Sequence, residues 1–228
     1  LIYEKFILKS ESLFFPYLAL LPTDDDLLDL PIYWSIEEIN ERLSPSYSKT
    51  LVSYYQEKVI KSFEFVSKIN EIYNYIPDHI FNFDNYRWAT AILDSRSIWW
   101  NGNRHLVPML DFINCKEDSD YPNRIHSTNL DDTQSFVITR AAKDFKTNEQ
   151  IFENYGQPNY IYFQYHGFTL TSNDDELTNN PANSHDCVHY EFIITKDEGM
   201  KINFNDRIVK TIIEKLKFRS RAMLTTCL

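Results

Sequence analysis

The run Ile151-Phe152-Glu153-Asn154-Tyr155-Gly156-Gln157-Pro158-Asn159, closing at Tyr165-His166-Gly167-Phe168, decides how the rest of the chain is read. Gln150 to Phe152 is strand-like, and a tyrosine and a glycine stand just past its end. Pro158 suits the first turn of a helix and Gly167 its C′ position, so the spacing predicts a short helix over 158–166. About forty residues upstream, Val107-Pro108-Met109-Leu110-Asp111-Phe112-Ile113-Asn114-Cys115 places an Asp and an Asn after a second apolar run.

Around these two segments the pattern is one of short strands. Gly102 and Asn103 predict a turn, and Leu106 to Leu110 a strand. Residues 116–134, rich in Asp, Asn and Ser, read as an exposed loop. Ser135 to Thr139 is a further strand, joined to Gln150–Phe152 by a polar turn at Asp144 to Asn148. Residues 171–185 read as a polar loop and Tyr190 to Thr195 as a strand. Asn205 or Asp206 then caps an amphipathic helix carrying Ile208, Val209, Ile212, Ile213 and Leu216.

The first half is helical instead. Ser35-Ile36-Glu37-Glu38 is a capping box opening a helix over 36–43, which ends before Pro45. Leu51, Tyr55, Val59, Phe63, Val66 and Ile69 recur at three- and four-residue steps and predict a long helix over 48–74. Asp84 is the expected cap of another helix, whose buried face is Trp88, Ala89, Ile92 and Leu93.

At 228 residues, with 43% hydrophobic and 15% aromatic content, the chain can bury a sizeable core. No apolar run reaches the roughly 20 residues that span a bilayer, so no membrane partner is expected. A net charge of −10 argues against nucleic acid, whose phosphates need clustered Lys and Arg, and leaves basic protein segments as ligands. Three widely spaced cysteines, Cys115, Cys187 and Cys227, form no metal-ligand pattern and imply a reducing, intracellular setting, cytoplasmic or nuclear. Only four glycines occur, which excludes a phosphate-binding loop or dinucleotide fingerprint. The chain opens at Leu1 in mid-pattern and stops at Ala222–Leu228 without a helix terminator, and so reads as a fragment of a longer protein.

In their order and separation, the Asp111-x-x-Asn114 and Tyr155-Gly156 segments resemble the two signature segments of SET-domain protein methyltransferases. Asp84-Asn85-Tyr86-Arg87-Trp88-Ala89, Ser95-Arg96 and Asn183-Ser184-His185-Asp186 look like the branch containing the RuBisCO large-subunit lysine methyltransferase and the actin-histidine methyltransferase. The resemblance implies an α+β SET-type fold of short strands with a pseudoknot and a large helical insert. It would make residues 1–200 a SET domain without its N-terminal strands, with the insert at about 10–97 and the core at about 98–200. Residues 201–228 would open an all-helical substrate-binding domain. Two departures stand out: no Gly-x-Gly strand pair precedes residue 10, and Cys115 stands where the family has His.

The implied chemistry is methyl transfer from S-adenosylmethionine to a side-chain nitrogen of a protein substrate, with a lysine ε-amine the expected acceptor. Tyr155 would be catalytic and would also touch the cofactor; Asn114, Arg96, Asp111 and Cys115 would complete the cofactor site. Of these, Arg96 suits a carboxylate because a guanidinium matches it bidentately, and Asp111 would orient its loop. A histidine acceptor is an alternative, although Leu110 and Ile98 replace the Trp and Asn of the actin-histidine enzyme. A catalytically inactive SET-like binding module is another. The residues also admit a Cys115 nucleophile served by His105, His166 or His185, and a core role for Trp99 and Trp100, although a lone cysteine beside an apolar strand is more often inert. His166 reads as the end of its helix. The oligomeric state has no sequence signal.

Overall fold

The computed structural model describes residues 1–100, 102–117, 128–130, 136–139, 144–171, 183–193 and 221–227. A π-helical turn at Tyr3–Leu8 and a 3₁₀ turn at Lys9–Glu11 lead into α1 (Phe15–Leu18). Helix α2 spans Ile36–Leu43, as its capping box predicts. Ser35 Oγ accepts from the Glu38 N–H at 3.1 Å, and Glu38 Oε2 accepts from the Ser35 N–H at 2.9 Å.

Helix α3 (Tyr47–Tyr73) buries Val52, Tyr55 and Val59 on one stripe. The sequence put Ile69 on that stripe, yet Ile69 is exposed and Asn70 is buried instead. The reason is hydrogen bonding. Asn70 donates to the Ile76 carbonyl at 2.7 Å and accepts from the Ile76 N–H at 3.0 Å, closing the chain reversal after left-handed Asn74.

Helix α4 (Phe83–Arg96) has Asn82, not Asp84, as its cap: Asn82 Oδ1 accepts from the Asn85 N–H at 2.9 Å. Asp84 sits in the first turn and pairs with Arg87 at 3.0 Å. One face of α4 presents buried Trp88, Ala89, Ala91 and Ile92, with Leu93 only half-buried. Trp88 donates its indole N–H to the Pro22 carbonyl at 2.8 Å, so its one polar atom is satisfied in the core. Leu18, Leu21, Leu27, Leu30 and Ile32 pack with this face and with α3. Each such side chain is worth about 1.5–3 kcal/mol on burial.

The strands are short. β1 (Ser97–Trp100) and β2 (Asn103–Leu106) form an antiparallel hairpin turned at Gly102, whose φ of +74° favours glycine. The strand expected over Leu106–Leu110 therefore ends at Leu106, and Leu110–Phe112 is a 3₁₀ turn. β3 (Asn114–Cys115) follows. β4 (Thr128–Leu130) lies within the stretch read as a loop and pairs antiparallel with β5 (Val137–Thr139). β6 (Phe152–Glu153) does not pair with β5, as a 135–152 hairpin would require; it runs parallel to β3. A parallel pair needs a long crossover, which the intervening residues supply. Beyond it, α5 (Asn159–Ile161) continues as a π-helical turn over Tyr162–His166 and ends at Gly167, φ +77°.

The contact pattern divides the chain into Leu1–Ser184 and His185–Leu228. In the second unit β7 (Cys187–Ile193) pairs antiparallel with β8 (Arg221–Cys227). The all-helical expectation for residues 201–228 thus meets a strand at Arg221–Cys227. The helix expected at Ile208–Leu216 lies outside the described residues.

Candidate active site

A cavity of about 900 Å³ lies within the first unit, between α3, the face of α4 opposite Trp88, the β1–β2 hairpin and the Tyr155–His166 segment. This is near the upper end of the roughly 300–1,000 Å³ typical of small-molecule sites. Tyr55, Tyr86, Trp99, Tyr155 and Tyr165 give it aromatic walls.

At one end stands an ion pair. Arg96 donates through Nη1 to Asp111 Oδ2 at 3.1 Å and to the Asp111 carbonyl at 3.2 Å. Tyr17 donates its hydroxyl to the same Oδ2 at 2.8 Å. Burial, reinforced by that carboxylate, pushes the Tyr17 phenol well above its ordinary pKa. The Asp111 side chain is fully buried, and its Oδ1 has no hydrogen-bond partner among the described residues. Both Arg96 and Asp111 line the cavity.

Tyr155 lies beyond the end of β6 and donates its hydroxyl to the Ile113 carbonyl at 2.6 Å. That bond uses the phenol's one proton and leaves its oxygen able to accept; Tyr155 lines the cavity. Burial is the main reason the phenol pKa rises well above its ordinary value, helped by the neighbouring Cys115 and Glu153 and opposed by the Arg96 guanidinium. The group is therefore a neutral phenol at physiological pH.

The chain does bring the Asn114 and Tyr155 segments together, through the β3–β6 pairing and the Tyr155–Ile113 bond. It does not bring the Asn114 side chain into the cavity. Side chains alternate along extended backbone, and half-buried Ile113 and Cys115 face one way while Asn114 is exposed on the other. Cys115 is not a cavity-lining residue either; it lies near Tyr155 and Tyr162. Burial pushes its thiol up, against the thiolate that a nucleophile needs. Trp99, assigned to the core by sequence, is 68% exposed at the cavity's edge with Arg104 against its ring at 5.6 Å. The Trp100 side chain lies outside the description.

Several cavity residues escaped the sequence reading. Asp94 accepts from both the Tyr55 hydroxyl and Arg104, tying α3 and α4 to β2. Tyr165 packs edge-on to Tyr55 at 5.1 Å. His166 also lines the cavity, its ring centroid 5.5 Å from that of Tyr155. The four-residue step from Tyr55 to Val59 was the one available signal for the α3 wall.

Behind Tyr155 lies a polar clamp. Asn154 accepts from the Gly156 N–H at 2.8 Å and donates to Glu117 at 2.9 Å. Glu117, expected in an exposed loop, is 6% exposed and also accepts from Ser184 at 2.7 Å. Buried Asn183 donates to the Gln157 carbonyl at 3.0 Å. Two residues of the Asn183–Asp186 segment thus hold the turn that carries Tyr155.

The fold of this chain is that of a SET domain. It matches the structure of Rubisco LSMT bound to AdoMet with a TM-score of 0.63 at 21% identity, covering 99% of this chain and 47% of that one. It also matches the SET domain of LSMT bound to MeLysine and AdoHcy, with a TM-score of 0.66 at 22% identity, covering 99% of this chain and 48% of that one. Rubisco LSMT bound to sinefungin and monomethyllysine gives 0.65 at 21%, with coverages of 99% and 47%. The chain spans about half the length of these structures. No family model and no curated protein matches the sequence.

Proposed function

We propose that this chain is an S-adenosylmethionine-dependent protein methyltransferase whose acceptor is a lysine ε-amine. The observation that carries the reading is Tyr155: a neutral phenol, its proton committed to Ile113, lining an aromatic cavity together with Arg96 and Asp111. The fold likeness supports it, because the matched LSMT structures hold AdoMet, AdoHcy, sinefungin, lysine or methyllysine.

The residues present fit the cofactor. Arg96, partly exposed on the cavity and held by buried Asp111, would face the carboxylate of a charged amino-acid end, and the aromatic walls suit a cation. Bound there, S-adenosylmethionine supplies an electrophilic methyl group on a sulfonium. The chain's own part is alignment and exclusion of water. Tyr155 oxygen accepts an N–H of the incoming amine and turns its lone pair toward the methyl. Apolar Ile98 and Leu110 on the cavity wall disfavour the charged ammonium, lowering the pKa of the lysine that enters. The same two residues favour lysine over histidine as the acceptor.

The parallel β3–β6 pairing supports the pseudoknot, and the helices before β1 support the insert at about 10–97. The division into a SET domain over 1–200 and a helical domain opening at 201 belongs to the same proposal, as does an intracellular setting. The exposed Asn114 favours one other reading, a SET-like module that binds protein without catalysis. Calorimetry with S-adenosylmethionine, followed by amino-acid analysis of proteins methylated in its presence, separates the readings. Binding with methyl-lysine formation is expected. Absence of binding would leave the module, and methyl-histidine alone would move the acceptor to imidazole.

A further inference from the structure

His166 ends the π-helical turn and lies among Tyr155, Tyr162 and Phe168, with ring centroids at 5.5, 6.0 and 5.8 Å. No hydrogen bond from the described residues takes up either of its nitrogens, and the ring lines the cavity beside Tyr155. Burial, with Arg96 adding to it and Asp94 opposing, lowers the imidazole pKa to about 4. The ring is thus neutral at physiological pH, and a neutral imidazole has one nitrogen with a free lone pair.

The geometry points to His166 as a second hydrogen-bond acceptor for the methyl-accepting nitrogen, working beside Tyr155. The inference rests on the methyl-transfer reading. A neutral primary amine carries two N–H donors and one lone pair. With one N–H on the Tyr155 oxygen and the other on His166, the lone pair has a single direction left, toward the methyl. The N–C bond then forms as the methyl's bond to sulfur breaks. The electron pair of that bond stays on the sulfur of the donor, and the positive charge passes to nitrogen, which afterwards releases a proton to water. A once-methylated amine retains one N–H and can satisfy one acceptor only. The paired acceptors therefore favour the first methyl over later ones.

The test follows the imidazole nitrogens of His166 by NMR in the unaltered chain saturated with S-adenosylhomocysteine, while free lysine is added. The His166 resonance is expected to move with lysine. His166→Phe should weaken lysine about tenfold, leave S-adenosylhomocysteine affinity unchanged and raise the share of multiply methylated product by mass spectrometry. His166→Asn, which restores an acceptor, should recover part of the lysine affinity. An unmoved His166 resonance, or H166F with unchanged lysine affinity, overturns the inference while methyl transfer stands. A chain that binds no cofactor and transfers no methyl overturns the underlying reading and the inference with it. The NMR measurement decides the matter even where H166F does not fold.

Discussion

Arg96 holds Asp111 at two points, carboxylate and carbonyl, through a single guanidinium nitrogen. The Asp111 side chain is wholly buried and Arg96 is 24% exposed, so solvent screens the pair little. Arg96→Ala would strand a buried carboxylate with Tyr17 as its one remaining side-chain donor among the described residues. The expected cost is about 3–5 kcal/mol in denaturant unfolding. A loss under about 0.5 kcal/mol would show that water replaces the guanidinium.

Tyr155→Phe removes the hydroxyl that bonds Ile113 and that the proposed reaction places against the amine. Transfer should slow roughly 100-fold through misalignment of the amine. Stability should fall by only about 1 kcal/mol, the usual net worth of one hydrogen bond. Cofactor affinity should hold, which calorimetry checks separately from rate.

Glu117 anchors the same turn from behind. Glu117→Ala leaves Asn154 and Ser184 without their acceptor and loosens the grip on Gly156. Bonds to a charged group are worth about 1.5–3 kcal/mol, so the melting temperature should fall clearly. Turnover should drop more than substrate affinity.

The pH dependence of stability follows from His166. Its folded pKa, about 4, lies below the unfolded value of 6.5. Between those values the unfolded chain binds a proton that the folded chain refuses, so stability rises with pH across that window. The contribution is fully present above about pH 6.5 and is lost as pH falls toward 4. It is on the order of 3 kcal/mol, at about 1.4 kcal/mol for each pH unit separating the two values. Unfolding curves of His166→Phe should lose this part of the slope between pH 4 and 6.5; an unchanged slope would assign it to other groups.

Two glycines at similar φ should respond differently to a methyl group. At Gly102, φ +74°, an added Cβ meets nothing within 4 Å, whereas at Gly167, φ +77°, it meets Leu30 Cδ2 at 3.0 Å. Gly102→Ala should cost about 1–2 kcal/mol of backbone strain alone. Gly167→Ala should cost more, and it should disturb His166 next door.

The helices were legible because their signals are local. The Ser35–Glu38 box and the Tyr55–Val59 step lie within one or two turns. The Pro158 and Gly167 ends of the helix after β6 are equally local. Strand partners were not, since β3 pairs with β6 across a crossover that carries no periodic mark in the sequence. Motif context assigned Tyr155, Arg96 and Asp111 to one candidate site, and all three line one cavity. Asn114 was placed by the same context, yet strand alternation turns it outward. His166 was read as the end of its helix, as it is, but its place on the cavity and the burial of Glu117 were missed because distant chain segments, not their neighbours in sequence, set them.

The most direct test of the account is a crystal structure of the chain with S-adenosylhomocysteine and free lysine. The cofactor's amino-acid end is expected at Arg96, and the lysine nitrogen about 2.7–3.2 Å from the Tyr155 oxygen. Ligands bound outside this cavity, or a lysine nitrogen turned away from Tyr155, would contradict it.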